Sequence, residues 1–130
     1  RPLRVLLVED NPMNQKLVKI LLKKRGHSVV VANDGKEALK CFDSAAEPFN
    51  IVLMDCEMPG MDGYAATAAI RAKEHRYRHH TPIIAMTAHA MDFHRQKCMA
   101  AGMDDYITKP IDTGLFFELI DHWTAESEEA

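Results

Sequence analysis

Acidic, hydroxyl and basic side chains stand at the ends of short apolar runs at four places in the 130-residue chain. Glu9 and Asp10 follow the first run, Asp55 follows a later one, Thr87 closes another, and Lys109 follows the last. If these runs are parallel strands of one sheet, their carboxyl ends lie at the same edge. We therefore expect three carboxylates, one hydroxyl and one ammonium group to share a crevice.

The chemistry that this group suggests is metal-assisted phosphoryl transfer. Three carboxylates in one crevice repel one another, so a cation is needed beside them. Oxygen ligands without His or Cys favour Mg²⁺, with Mn²⁺ as an alternative metal. Asp55 is the candidate nucleophile because a carboxylate can form an aspartyl phosphate. Lys109 is a compact charge suited to one phosphoryl oxygen, and Thr87 can donate a hydrogen bond to another.

Five apolar runs alternate with amphipathic segments of helical length, which is the pattern of a (βα)5 protein. The runs predicted as strands are Val5–Val8, Val29–Val31, Ile51–Met54, Ile83–Met86 and Tyr106–Thr108. The segments predicted as helices are Met13–Lys24, Gly35–Ser44, Tyr64–Glu74, Met91–Ala101 and one that starts at an Asp112 cap. Because the runs are continuous rather than alternating, we expect them to be buried on both faces. The predicted fold class is α/β, a doubly wound five-stranded parallel sheet with helices on both faces.

Several local expectations accompany this architecture. In the first helix, helical spacing groups Met13, Leu17, Ile20, Leu21 and Lys24. The stretch His75–Thr81 is predicted to be an exposed loop, and His27 a surface residue. Gly60 and Gly63 are predicted to be loop residues with unusual backbone dihedral angles.

Composition limits the classes of protein to consider. A net charge of −3 argues against a general nucleic-acid binder, which needs a basic surplus. No apolar run approaches the roughly 20 residues of a membrane-spanning helix. Three cysteines without C-x-x-C spacing indicate reduced thiols and a cytoplasmic location. We expect one domain over residues 1–125, followed by an acidic tail over residues 126–130. We expect the isolated domain to be a monomer. We also expect the chain, which begins at Arg1, to be part of a longer protein.

Four blocks of sequence carry a resemblance to a known family. They are Leu6–Asn11, Val52–Gly63, Pro82–Ala88 and Ala101–Pro110. With these blocks in this order, the chain resembles the receiver domain of two-component response regulators over essentially its whole length. The resemblance implies a flavodoxin-like fold. The strings Glu9–Gln15 and Met86–Met91 are most similar to receivers of bacterial hybrid sensor histidine kinases. Such a receiver would belong to the cytoplasmic part of a membrane-anchored sensor.

The resemblance implies a phosphoacceptor function. The residue matching Asp55 accepts a phosphoryl group from the phosphohistidine of a histidine kinase or a histidine phosphotransfer domain. The residues matching Glu9, Asp10 and Asp55 bind Mg²⁺, together with the backbone carbonyl at Glu57. Glu57 and His89 match two variable positions that tune the lifetime of the phosphate in this family.

The resemblance also implies a conformational switch. The counterparts of Thr87 and Lys109 contact the phosphoryl group, and the counterpart of Tyr106 turns inward when the threonine moves. The Lys109–Pro110 bond is expected to be the family's cis peptide. The domain catalyses its own phosphorylation and dephosphorylation, and the full-length hybrid chain would be a protein-histidine kinase.

Three alternatives stay open at this point. A phosphatase with an aspartate nucleophile would need a second aspartate two residues later, where Glu57 stands, and its other acids follow the nucleophile, whereas Glu9 and Asp10 precede it. An interaction module with an inactive acceptor site is disfavoured by the complete set of site residues. A free-standing single-domain regulator differs only in its context.

Overall fold

Strands and helices alternate along the chain in the computed structural model, which describes residues 2–45, 47–58, 60–77, 80–88 and 91–129. The strands are β1 (Arg4–Val8), β2 (Ser28–Ala32), β3 (Ile51–Asp55), β4 (Ile83–Thr87) and β5 (Asp105–Thr108). The helices are α1 (Pro12–Lys24), α2 (Gly35–Ser44), α3 (Gly63–Tyr77), α4 (Asp92–Ala101) and α5 (Thr113–Glu129). The predicted (βα)5 order is confirmed.

All strands join one parallel sheet in the order β2-β1-β3-β4-β5. Val8 lies opposite Met54, and Asp55 lies opposite Met86. Since the strands are parallel, the residues that follow β1, β3, β4 and β5 meet at one side of the sheet, which we call the carboxyl edge.

Successive residues of each central strand point to opposite faces of the sheet, and each face carries its own buried cluster. On one face, Leu6 and Val8 pack with side chains of α2, α3 and α4. On the other face, Val5 and Leu7 pack with side chains of α1 and α5. The helices therefore cover both faces, as the sequence predicts for a doubly wound sheet.

The expectation that every strand is buried on both faces is wrong for β2. This strand lies at one end of the sheet and pairs with β1 alone. Its Val30 side chain is 37% exposed, and along the strand only Ala32 is fully buried. An edge strand has a neighbour on one side only, so its apolar run cannot be covered as completely as that of β1 or β3.

Helix α1 packs on the sheet mainly through Val18 and Leu22, which are its buried residues. Of the residues that helical spacing groups in this helix, Leu21 is partly buried against the core. In contrast, Met13 is 81% exposed, Leu17 46% and Ile20 47%. The helix carries two adjacent apolar stripes, and helical periodicity alone does not say which one the sheet covers.

The segment His75–Thr81 is not a simple exposed loop. Helix α3 continues through Tyr77, and Thr81 is fully buried where the chain enters β4. Arg78 and His79 lie outside the described residues.

Buried charged side chains join α3 to the start of β4 and β5. The Arg71 guanidinium donates to the carbonyl oxygens of Thr81 and Gly102 at 2.8 Å each. It also forms ion pairs with Asp104 at 2.7 Å and with Glu74 at 2.5 Å. Glu74 in turn accepts from the backbone N–H of Thr81 at 2.6 Å. This network uses most of the donors of one guanidinium to fix the amino ends of two strands.

The expectation that His27 is a surface residue is wrong. His27 is buried, and its Nδ1 accepts a hydrogen bond from the backbone N–H of Leu3 at 3.1 Å. Burial lowers the pKa of His27, which keeps the imidazole neutral and able to accept. Helix α5 starts at the predicted Asp112 cap but continues through Glu129, so the acidic stretch 126–129 is helical and only Ala130 lies outside the described residues.

In the described part of the chain, no helix is both long enough and apolar enough to cross a lipid bilayer.

Replacing Arg71 by Met should lower the free energy of unfolding by about 3 kcal/mol, because two carboxylates then stay largely buried without their cation. Urea denaturation measures the change. Lys73→Met is the matched control on the same helix, since Lys73 pairs with Asp43 at the surface, and it should cost less than about 1 kcal/mol. Equal losses in the two variants would contradict a special role for the buried network.

Candidate functional site

Three carboxylates meet at the carboxyl edge of the sheet. One oxygen each of Glu9, Asp10 and Asp55 lies within 4.8 Å of the other two. Glu9 and Asp55 are almost fully buried, each 1% exposed, whereas Asp10 faces solvent. The sequence predicts this juxtaposition, and the strand register produces it. The donor set consists of oxygens alone, which suits a hard divalent cation.

Backbone hydrogen bonds hold Glu9 in place beyond the end of β1. Its N–H donates to the carbonyl oxygen of Ala32 at 3.0 Å, which extends the pairing of β1 with β2 by one residue. Its carbonyl oxygen accepts from the side-chain amide of Gln15 at 2.5 Å. The N–H of Asn11 donates to the Glu9 carboxylate at 3.2 Å. The first carboxylate is therefore positioned by its own strand and by the start of α1.

Lys109 is the cation that the structure supplies to this cluster. Its Nζ lies 3.0 Å from Asp55 Oδ1 and 3.4 Å from a Glu9 carboxylate oxygen. Burial alone lowers the pKa of Lys109, but the hydrogen bond and charge of Asp55, with those of Glu9, raise it above the ordinary value. The Lys109–Pro110 peptide bond is cis, as the sequence predicts. One ammonium group faces three carboxylates, so the edge keeps a surplus of negative charge.

The acidity of Glu9 is changed by its surroundings. Burial and, next, the hydrogen bond with Asp55 raise the pKa of Glu9 to about 7, against the lowering effects of the Asn11 backbone N–H and of Lys109. In the absence of a divalent cation, these effects favour the protonated form of Glu9 up to near neutral pH. A cation bound at the three carboxylates would replace that proton.

Glu57 connects the acceptor loop to the end of β4. Its backbone N–H donates to Asp55 Oδ1 at 3.0 Å. Its carboxylate accepts from the backbone N–H of Ala88 at 2.7 Å and from the Thr87 hydroxyl at 3.5 Å. Sequence reasoning considers the backbone carbonyl and the side-chain charge of Glu57, but not its contact with Ala88. A backbone donor leaves no signal in residue types.

Gly63 is required for a different reason from the one that the sequence suggests. Gly60 does have a positive φ, +75°. At Gly63, a Cβ atom would lie 2.3 Å from the backbone oxygen of Asp55, so the first residue of α3 must be small. The close approach of α3 to the end of β3 therefore depends on a glycine at this position.

The remaining predicted site residues are placed as follows. The Tyr106 side chain is half-buried, packs against the cluster of α2, α3 and α4, and has the Arg95 guanidinium 5.8 Å from its ring centroid. Tyr106 lies on β5 opposite Ala85 of β4, two pairs before the Thr87–Thr108 pair that ends the ladder at the carboxyl edge. Its switching function stays a prediction. His89, the second predicted lifetime-tuning residue, lies outside the described residues.

The fold and the site together define a class of α/β domains that gather carboxylates and a lysine at the carboxyl edge of a doubly wound sheet. This chain belongs to the response regulator receiver domain family, whose sequence model matches residues 5–121. The family and the fold class predicted from the sequence are both confirmed.

Three comparisons show how close the match is. Hybrid signal transduction histidine kinase I of Dictyostelium discoideum is 47% identical over 122 residues, which cover 92% of this chain and 7% of that protein. The receiver domain of sensor histidine kinase PA1611 from Pseudomonas aeruginosa, solved with a magnesium ion coordinated in its active site cleft, is 38% identical with a TM-score of 0.84, covering 96% of this chain and 99% of that one. The receiver domain of Saccharomyces cerevisiae Ssk1, co-crystallised with the histidine phosphotransfer protein Ypd1, is 27% identical to this chain with a TM-score of 0.88. The match covers 97% of this chain and 91% of that one.

This chain spans only 7% to 13% of the lengths of the first two curated kinases that it matches.

In metal-free buffer, raising the pH from about 4.5 to about 7 should weaken the wild-type fold relative to Glu9→Gln by about 1–3 kcal/mol. Over this interval the folded state keeps the Glu9 proton, whereas the unfolded chain releases it, so folding becomes less favourable as the pH rises. Urea denaturation of both proteins across the interval measures the difference. Parallel pH profiles for the two proteins would contradict the raised pKa.

Proposed function

We propose that this receiver domain accepts a phosphoryl group from a phosphohistidine onto Asp55 in a Mg²⁺-dependent reaction. The observation that carries the proposal is the position of the Asp55 carboxylate, held at Oδ1 by Lys109 and by the N–H of Glu57, inside a cluster of three carboxylates. Glu9 also lies near Lys109 and accepts from a backbone amide, but at 3.4 and 3.2 Å, whereas both of these contacts of Asp55 Oδ1 measure 3.0 Å. The proposed residues are those that the sequence predicts.

The residues present fit a Mg²⁺ ion. Side-chain oxygens of Glu9, Asp10 and Asp55 would hold it, with the backbone carbonyl of Glu57, and water would complete the shell. The same donors would accept Mn²⁺. When bound, the ion supplies positive charge that offsets the negative charge of the transferring group. The magnesium found in the cleft of the PA1611 receiver supports this assignment.

The chain's own residues perform the transfer by positioning and by charge. An Asp55 carboxylate oxygen attacks phosphorus, forming a P–O bond, while the P–N bond to the donor imidazole breaks and the imidazole leaves with the electron pair. The Lys109 ammonium stabilises charge on one phosphoryl oxygen, and the Thr87 hydroxyl donates to another. Repulsion within the acid cluster, which opposes the approach of a dianion, is reduced by Lys109 and by the cation.

We propose that phosphorylation then shifts the domain between two conformations. The phosphoryl group draws Thr87 toward Asp55, and Tyr106 on the adjoining strand follows inward. The half-buried position of Tyr106, next to the exposed Arg95 side chain of α4, leaves room for that movement. The two states must differ by only a few kcal/mol for phosphoryl contacts to select between them.

The context that we propose is a hybrid histidine kinase. The relatives are much longer than this chain, and the first of them is named as a hybrid kinase. As part of such a protein, the full-length chain would be a protein-histidine kinase. The three cysteines form no disulfide, which fits a reducing, cytoplasmic compartment.

Asp55→Asn should abolish phosphorylation by acetyl phosphate in the presence of Mg²⁺, because an amide cannot form the acyl phosphate. Intact-protein mass spectrometry measures the added phosphoryl group, and circular dichroism checks the fold. Asp62→Asn is the matched control in the same loop, since Asn retains the hydrogen-bond acceptor that Asp62 offers to Ala65, and it should be phosphorylated like wild type. Chelation of Mg²⁺ should abolish labelling, and undiminished labelling of Asp55→Asn would refute the acceptor assignment.

The exposed face of α1 is the proposed docking site for the donor. It presents Met13, Leu17 and Ile20, and α1 begins two residues after Asp10 of the acid cluster. A partner seated there would hold its histidine close to Asp55. The same side of the helix carries three lysines, Lys16, Lys19 and Lys23, which line a shallow groove with Ile20. We therefore propose a histidine phosphotransfer domain or kinase whose contact face is apolar with acidic residues at its rim. The Ssk1 receiver domain, co-crystallised with Ypd1, supports a histidine phosphotransfer protein as the kind of partner.

Ile20→Glu should slow phosphotransfer from a phosphorylated histidine phosphotransfer protein about tenfold or more, because a charge replaces an apolar contact at the interface. Labelling by acetyl phosphate, which needs no docking, should be unchanged. Leu115→Glu on α5 is the matched control, since Leu115 is 46% exposed and Ile20 47%. Equal slowing in both variants would show that α1 is not the docking surface.

A further inference from the structure

The Glu57 side chain occupies two hydrogen-bond donors at the carboxyl edge. Its carboxylate receives the backbone N–H of Ala88 at 2.7 Å, a short charge-assisted hydrogen bond, and lies 3.5 Å from the Thr87 hydroxyl oxygen. The residue is exposed, so this conformation is held by these contacts rather than by packing. The Ala88 amide therefore already binds one anionic oxygen, although the Glu57 carboxylate loses part of its hydration in making this contact.

These donors lie where a phosphoryl group on Asp55 would need them. Asp55 pairs with Met86 on β4, and Thr87 and Ala88 follow Met86 directly. On the other side, the carbonyl oxygen of Thr87 accepts from the backbone N–H of Lys109 at 2.8 Å. The hydroxyl of Thr87 and the amide of Ala88 therefore stand beside the acceptor carboxylate, on the strand between it and Lys109. The phosphoryl oxygens and the Glu57 carboxylate compete for the same donors.

We propose that Glu57 is an internal competitor of the phosphoryl group: its carboxylate holds the Ala88 amide and the Thr87 hydroxyl in the unphosphorylated domain and must leave before the phosphoryl oxygens bind there. This inference rests on the proposed phosphoacceptor function of Asp55. It assigns Glu57 a regulatory, positioning function distinct from the binding of metal through its backbone carbonyl. The displaced carboxylate moves into solvent, while the Glu57 N–H stays on Asp55 Oδ1.

The length of the side chain matters as much as its charge. Aspartate at this position would keep the negative charge but lack one methylene group, and its carboxylate would not reach the Ala88 amide. Glutamine would keep the length and an acceptor oxygen but lose the charge, which weakens the bond without removing it. Glu57→Asp therefore separates direct competition from long-range repulsion between Glu57 and an incoming anion.

The test uses beryllium fluoride, which binds a carboxylate as a tetrahedral mimic of a phosphoryl group, at saturating Mg²⁺. Titrations followed by ¹⁵N-HSQC spectra compare wild type, Glu57→Asp and Glu57→Gln. In the free proteins, the Ala88 amide proton should move upfield in Glu57→Asp, because its charge-assisted bond is lost. The affinity for beryllium fluoride should rise about tenfold in Glu57→Asp and by a smaller factor in Glu57→Gln.

Two results would overturn the inference. An unchanged Ala88 resonance in Glu57→Asp would show that the contact does not exist in solution. Wild-type affinity in Glu57→Asp with tighter binding in Glu57→Gln would show that charge alone matters. If neither wild type nor any variant binds beryllium fluoride, the phosphoacceptor function itself fails, and with it the competition, even where the Ala88 resonance confirms the contact.

Discussion

The mutual repulsion of carboxylates at one edge of the sheet is the constraint on which the rest of the site depends. Glu9 and Asp55 are buried together with Asp10 beside them, and Lys109 offsets only part of their charge. The pKa of Glu9 is raised chiefly by burial and next by its hydrogen bond with Asp55, and the protonated form that this favours also lessens the repulsion. A divalent cation relieves it better, because it supplies two charges to oxygens already in place.

The sheet keeps the repelling carboxylates in place because it holds them on rigid elements. Glu9 and Asp55 belong to the ends of two adjacent strands whose other residues form the two buried layers of the protein. Arg71 fixes the opposite ends of β4 and β5 to α3, so the strands that carry Thr87 and Lys109 are anchored far from the site. Thr87 and Tyr106 lie on these anchored strands, so the proposed switch moves their side chains rather than the sheet itself.

One edge of the molecule thus combines three properties that belong to different parts of the sequence. The acid cluster comes from β1 and β3, the apolar and basic docking face from α1, and the Glu57 carboxylate from the loop after the acceptor. In the proposed function their closeness couples them: a partner that docks on α1 would reach Asp55, and a phosphoryl group on Asp55 would displace Glu57. The hybrid kinase proposed as the context of this chain would call for such local coupling, because a receiver domain must read its donor and its own phosphorylation state within one domain.

The sequence by itself determined the order of the strands and helices, the family, and the positions of Asp55 and Lys109, because continuous apolar runs are local signals and parallel strands bring their carboxyl ends to one edge. Only the tertiary structure decided which stripe of α1 faces the sheet, leaving Ile20 exposed, since periodicity repeats equally for two neighbouring stripes. It also decided the burial of His27 and the contact of Glu57 with the Ala88 amide. Both depend on backbone atoms of residues distant in the chain, and backbone atoms are the same in every residue type, so no pattern of side chains announces them.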